Sequence, residues 1–70
     1  MNQETLRGEW GQLKAGIRKR WGKLTSEDLD QIAGDRDILV GKLQERYGRK
    51  REQVERWFGD WLADVQGRGL

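Results

Sequence analysis

Apolar residues in the first third of the chain recur at helical steps. Leu6, Trp10, Leu13, Ile17 and Trp21 are separated by four, three, four and four positions, which confines them to an arc of roughly 80° on an α-helix. The spacing predicts a helix from about Gln3 to Trp21, with Glu4, Arg7, Glu9, Lys14 and Arg18 on its wet side or edges. Thr25 then reads as an N-cap, and Glu27 and Asp28 put negative charge at the positive end of the next helix dipole. Asp28 stands where a capping box prefers Glu or Gln, and Leu24 and Leu29 hold the staple positions around the cap. That short helix stops at Gly34.

Asp35 is placed to cap a third helix, which carries Ile38, Leu39, Val40, Leu43 and Tyr47 and ends at Gly48. Its run of three consecutive apolar residues predicts burial on more than one face, as for a central helix touched from two sides. The fourth element runs from about Lys50 to Gln66, where Val54, Trp57, Phe58, Trp61, Leu62 and Val65 cover an arc of roughly 140°. Residues 67–70 read as a frayed tail. Nothing alternates with period two over a useful length, so the expected fold is all-α, a bundle of about four short helices forming a single domain over 1–70.

Composition narrows how such a fold is held. The chain has 70 residues and no Cys or His, which removes disulfides and the usual zinc ligand sets as staples. With 34% hydrophobic and 37% charged residues it sits toward the polar limit of globular chains, but four tryptophans and a net charge of only +2 argue for folding. No apolar stretch is long enough to span a membrane, and Met1–Arg7 lacks the apolar core of a signal peptide. A cytoplasmic location is therefore expected.

The same inventory argues against catalysis and against a cofactor. General acid–base and nucleophilic chemistry need an activated group in a pocket, and Ser26 has no imidazole in the chain to activate it. Glu27, Asp28 and Asp30 read as a solvated helix N-terminus rather than a hydrolytic pair or metal site. The expectation is a protein that is not an enzyme.

Two basic clusters are the features most able to recognise a partner. One spans 14–23, with Lys14, Arg18, Lys19, Arg20 and Lys23 and no acid between Glu9 and Glu27; the other, 46–51, holds Arg46, Arg49, Lys50 and Arg51. Cations at the end of the first helix complement its dipole, which accounts for the first cluster without a ligand. Arg49, Lys50 and Arg51 open the fourth helix, where positive charge is unfavourable, so reversing them to Glu is expected to leave the fold intact. Contact of these cations with nucleic-acid phosphates is the alternative reading, and not the favoured one. Among the aromatics, Trp57 and Trp61 are the candidates for partial exposure, either as partner contacts or for self-association through the fourth helix.

The interior glycines Gly8, Gly11, Gly16, Gly41 and Gly59 each cost a helix about 0.8–1 kcal/mol relative to Ala. Either they permit close helix crossings, or they keep the chain near its folding threshold.

Several landmarks at fixed spacing carry a family resemblance. Trp21-Gly22-Lys23-Leu24-Thr25 is followed by Asp28-Leu29, Ile32-Ala33-Gly34, Leu39-Val40-Gly41-Lys42-Leu43-Gln44 and Glu45-Arg46-Tyr47-Gly48. Together with Gly8-Glu9-Trp10 and Lys14-Ala15-Gly16, this resembles the CsbD-like family. The resemblance spans roughly Gly8 to Gly48. It implies a bacterial cytoplasmic protein associated with general stress responses and folded as orthogonally paired helical hairpins; action through abundance or protein contact is the expectation that goes with it. It implies no reaction, cofactor or defined site. Val54–Val65, rich in Trp and Phe, departs from the more polar ends of that family.

Overall fold

Five helices build the chain in the computed structural model, which describes residues 3–67: α1 Gln3–Gly8, α2 Trp10–Arg20, α3 Ser26–Ile32, α4 Arg36–Tyr47 and α5 Arg51–Gly67. No strand occurs among the described residues. The radius of gyration, 11.1 Å, matches the roughly 11 Å of a compact chain of this length. Of the expected tail at 67–70, Gly67 closes α5 and the rest lies outside the described residues.

The single first helix expected from Gln3 to Trp21 is two helices, broken at Glu9, whose backbone turns to φ −105°, ψ 10°. The Glu9 carbonyl accepts from Gln12 N at 3.0 Å and Leu13 N at 2.9 Å, so it opens α2 rather than continuing α1. Glycines at positions 8 and 11 weaken helix continuation on both sides of the break. The break lets α1 lie across the α3–α4 turn. There the α1 backbone comes so close to Gly34 that a Cβ would stand 2.8 Å from Arg7 Cα, and Gly34 itself has φ +85°. Only glycine meets both conditions. The apolar stripe survives the break, with Leu6, Leu13, Ile17 and Trp21 all buried, while Trp10 packs on the core from its edge.

The second helix expected from sequence, α3, is better capped than its residues promised. Thr25 Oγ1 accepts from Asp28 N at 3.0 Å while Asp28 Oδ2 accepts from Thr25 N at 3.0 Å, so the shorter Asp closes the capping box. Ala33 ends α3 in the left-handed conformation, φ 45°. Asp35 Oδ1 then caps α4, accepting from Asp37 N at 2.9 Å and Ile38 N at 3.3 Å. As expected, α4 is touched from two sides, by α3 and by α5. Its apolar triplet does not bury whole: Leu39 and Val40 are fully buried, but Ile38 points outward, 41% exposed.

Gly48, at φ +63°, closes α4 with its N–H on Gln44 O at 2.8 Å. Lys50 starts α5, its carbonyl accepting from Val54 N and its N–H donating to Gln53 Oε1 at 3.2 Å. Val54, Phe58 and Leu62 bury one stripe of α5 in the common core, with Trp57, Trp61 and Val65 along its margin. Among the described residues no helix is long and apolar enough to cross a membrane.

Candidate functional site

The margin of α5 forms an aromatic cluster at one end of the core. Trp21, the residue after α2, is fully buried there and meets Trp57 edge-on at 5.4 Å and 87°, and Trp61 at 5.5 Å and 64°. Tyr47, from the last turn of α4, stands edge-on to Trp57 at 5.1 Å. Phe58 and Trp61 stack at 6.0 Å. Offset and edge-to-face geometries of this kind satisfy the ring quadrupoles. Trp21 Nε1, by contrast, is buried without a hydrogen-bond acceptor. A buried indole N–H usually finds one; this one is surrounded by rings.

Cations cover the cluster. The Arg20 guanidinium lies 5.3 Å from the Trp21 ring and 5.0 Å from that of Trp57, and Arg49 lies 4.6 Å from Trp57. Lys23 Nζ sits 5.0 Å from the Tyr47 ring, and Lys23 N donates to Tyr47 Oη at 3.2 Å. One residue of each basic stretch, Arg20 from 14–23 and Arg49 from 46–51, therefore converges on one half-buried indole. Beside them a surface recess of about 490 Å³ is lined by Gly16, Lys19, Arg20, Trp61, Asp64 and Val65.

This chain is 48% identical over 61 residues to the UPF0337 protein YjbJ of Escherichia coli strain K12, an overlap of 87% of this chain and 88% of that protein. A UPF0337 protein of Pectobacterium atrosepticum is 46% identical over the same span, and one from Protochlamydia amoebophila, 43%, covering 88% and 92% of those proteins. The chain belongs to the UPF0337 family. No protein-family model and no solved structure matches it.

Within this UPF0337 chain the eight cations singled out from sequence are not gathered in one place. Arg20, Lys23 and Arg49 gather at the aromatic cluster. Lys19 lines the neighbouring recess, and Lys50 is exposed at the start of α5. Arg18 turns away to donate to Ser26 Oγ. Arg46 and Arg51 are held by carboxylates: Arg46 by Asp28, and Arg51 by Asp37 and, at 2.9 Å, by Glu55. Trp57 and Trp61 are partly exposed as expected, but both pack against the core. The one large hydrophobic side chain openly exposed among the described residues is Ile38 on α4. For self-association, α5 offers the half-buried margin of Trp57, Trp61 and Val65.

Asp28 is the polar residue that sequence reasoning misplaced. It was expected at a solvated helix N-terminus with Glu27 and Asp30; those two are exposed, but Asp28 is buried. Arg46 Nε and Nη2 donate to its Oδ2 and Oδ1 at 2.9 and 3.0 Å, and Lys42 Nζ stands 3.7 Å from Oδ1. The Arg46 hydrogen bonds, then that from Thr25 N, hold its carboxyl well below the usual carboxylate range against the opposing effect of burial. A signal was present: Asp28 lies four residues before Ile32, on the same face of α3. Among the described residues no group of three or more potential ligands is placed to hold a metal ion.

Proposed function

We propose that this UPF0337 chain is a CsbD-like, non-catalytic cytoplasmic protein of the bacterial general stress response that works by contact through its cation-covered aromatic face. The observation that carries this reading is the convergence of Arg20 and Arg49 on Trp57 from stretches far apart in sequence. Cations held over rings present charge in a fixed position without being neutralised. The residues shared with the CsbD-like pattern support the stress association, and the absence of His and Cys supports a role without catalysis. Orthogonal pairing of helical hairpins is the finer arrangement we propose, supported by the packing of α1 on α2 and of α4 on α3 and α5.

The test is complementation under stress. A strain lacking the gene is supplied with the natural protein or with Arg20→Gln/Arg49→Gln, matched for level and checked for helicity. The natural protein should accumulate under stress and restore survival, and the double variant should not. Equal protection by both would overturn action through this face.

A further inference from the structure

The cations of this chain divide by what holds them. Arg7, Lys14, Lys42, Arg46 and Arg51 each lie within ion-pair distance of a carboxylate. Arg20, Lys23 and Arg49 instead lie over the rings of Trp21, Trp57 and Tyr47, and none of the three makes an ion pair with a described carboxylate. Those rings touch one another at 5.1 and 5.4 Å, so three ring-held cations share one small surface. Lys19 and Lys50, both exposed, adjoin Arg20 and Arg49 in the chain.

We infer that this surface binds single-stranded nucleic acid without sequence preference, phosphates going to Arg20, Lys23 and Arg49 and an unstacked base to Trp61, which lines the recess beside them. The inference rests on the contact reading of the same face and names its partner. An acidic or amphipathic peptide would need an apolar groove or anchor pocket to gain affinity. The openly exposed Ile38 stands in the first turn of α4, about 14 Å along the helix axis from Tyr47, and the recess beside the cations is lined by Lys19, Arg20 and Asp64 as well as Gly16, Trp61 and Val65, so it is no apolar anchor pocket. A polyphosphate strand asks only for spaced positive charge and accessible π surface. Duplex would satisfy the charges but leave the half-buried Trp61 indole at the recess unused.

Fluorescence anisotropy of a labelled oligo(dT) or oligo(U) titrated with the full chain tests this. We expect saturable binding with Kd about 10⁻⁵–10⁻⁴ M in low salt, and a log–log salt slope near 2, from about 0.7 per phosphate contact for three contacts. Arg20→Gln/Arg49→Gln should weaken binding roughly tenfold or more and cut the slope to about 0.7, while Lys14→Gln, on an ion-paired lysine, changes neither. Circular dichroism confirms that each variant is folded, and Lys23→Gln alone, lowering the slope by about 0.7, repeats the test should the double variant unfold. A slope unchanged by these substitutions overturns the inference. So does equal binding of a glutamate-rich peptide or of phosphatidylglycerol vesicles. Failure to bind any strand, while the double variant still fails to protect stressed cells, removes the nucleic-acid partner alone; full protection by that variant removes the contact reading itself.

Discussion

The carboxylate of Asp28 and the guanidinium of Arg46 meet edge to edge through two hydrogen bonds of 2.9 and 3.0 Å. Because Asp28 also closes the capping box of α3, one side chain joins the start of α3 to the last turn of α4. The bidentate geometry is the strong form of such a pair, and the carboxylate end of it is buried.

Acid should therefore loosen the fold through Asp28. Its carboxyl titrates well below the usual carboxylate range when folded and near about 3.9 when unfolded. A depressed folded value means the stabilisation is fully present above the unfolded value and is lost as pH falls below it. Urea unfolding between pH 7 and pH 2 should show a steep acid limb in the natural protein. Asp28→Asn should be less stable at pH 7, with that limb flattened. An equally steep limb in the variant would assign acid sensitivity to other carboxylates.

Interior glycines separate into two kinds. A Cβ at Gly59 would meet nothing within 4 Å, whereas one at Gly16 would stand 3.0 Å from Trp61 Cζ2. Trp61 is backed by Trp21 and Phe58, so its ring has little room to yield. Gly59→Ala should stabilise by about 0.5–1 kcal/mol, and Gly16→Ala should gain nothing or destabilise. Chemical denaturation of both variants checks the ordering. Gly8, Gly11 and Gly41 also face open space, so tight crossings account for Gly16 alone among the five interior glycines.

Ala33 carries a cost of the opposite sort. It ends α3 at φ 45°, ψ 38°, a conformation in which its Cβ crowds the following carbonyl. Ala33→Gly should raise stability by about 0.5–1 kcal/mol, the relief of left-handed strain outweighing the added freedom of the unfolded chain. A thermal melt shifted downward would show that the methyl group is held by packing.

What the sequence disclosed was local. Three- and four-residue spacing marked Leu13, Ile17, Val54, Phe58 and Leu62 as buried, and Thr25, Asp35 and Gly48 marked helix ends, because these properties follow from neighbours along the chain. The break at Glu9 was hidden because it serves a distant fit, that of the α1 backbone against Gly34. Charge clusters were visible as composition, but their sorting was not. Arg20 and Arg49 meet at Trp57, while Arg46 and Arg51 face carboxylates, and only the tertiary packing of α2 to α5 decides which. Ile38 shows the same limit: a run of apolar residues does not say which member faces out.

Arg49, Lys50 and Arg51 looked equivalent in sequence, and reversing all three to Glu was expected to leave the fold intact. The structure assigns them different surroundings. Lys50 is exposed at the start of α5, where a carboxylate would face the positive end of the dipole, so Lys50→Glu should be neutral or stabilise by about 0.3–1 kcal/mol. Arg49→Glu removes a cation from the Trp57 ring and should weaken the fold slightly. Arg51→Glu is the damaging change. It breaks the pairs with Asp37 and Glu55 and sets a carboxylate against both, one of them across the α4–α5 packing and the other one turn along α5. Urea midpoints of the three single variants should fall in the order Lys50→Glu, Arg49→Glu, Arg51→Glu, and raising salt should recover part of the last loss by screening the new repulsion. If Arg51→Glu unfolds at the same midpoint as Lys50→Glu, the bridge from α4 to α5 through Asp37 contributes nothing in solution, and the original expectation of a tolerant cluster stands.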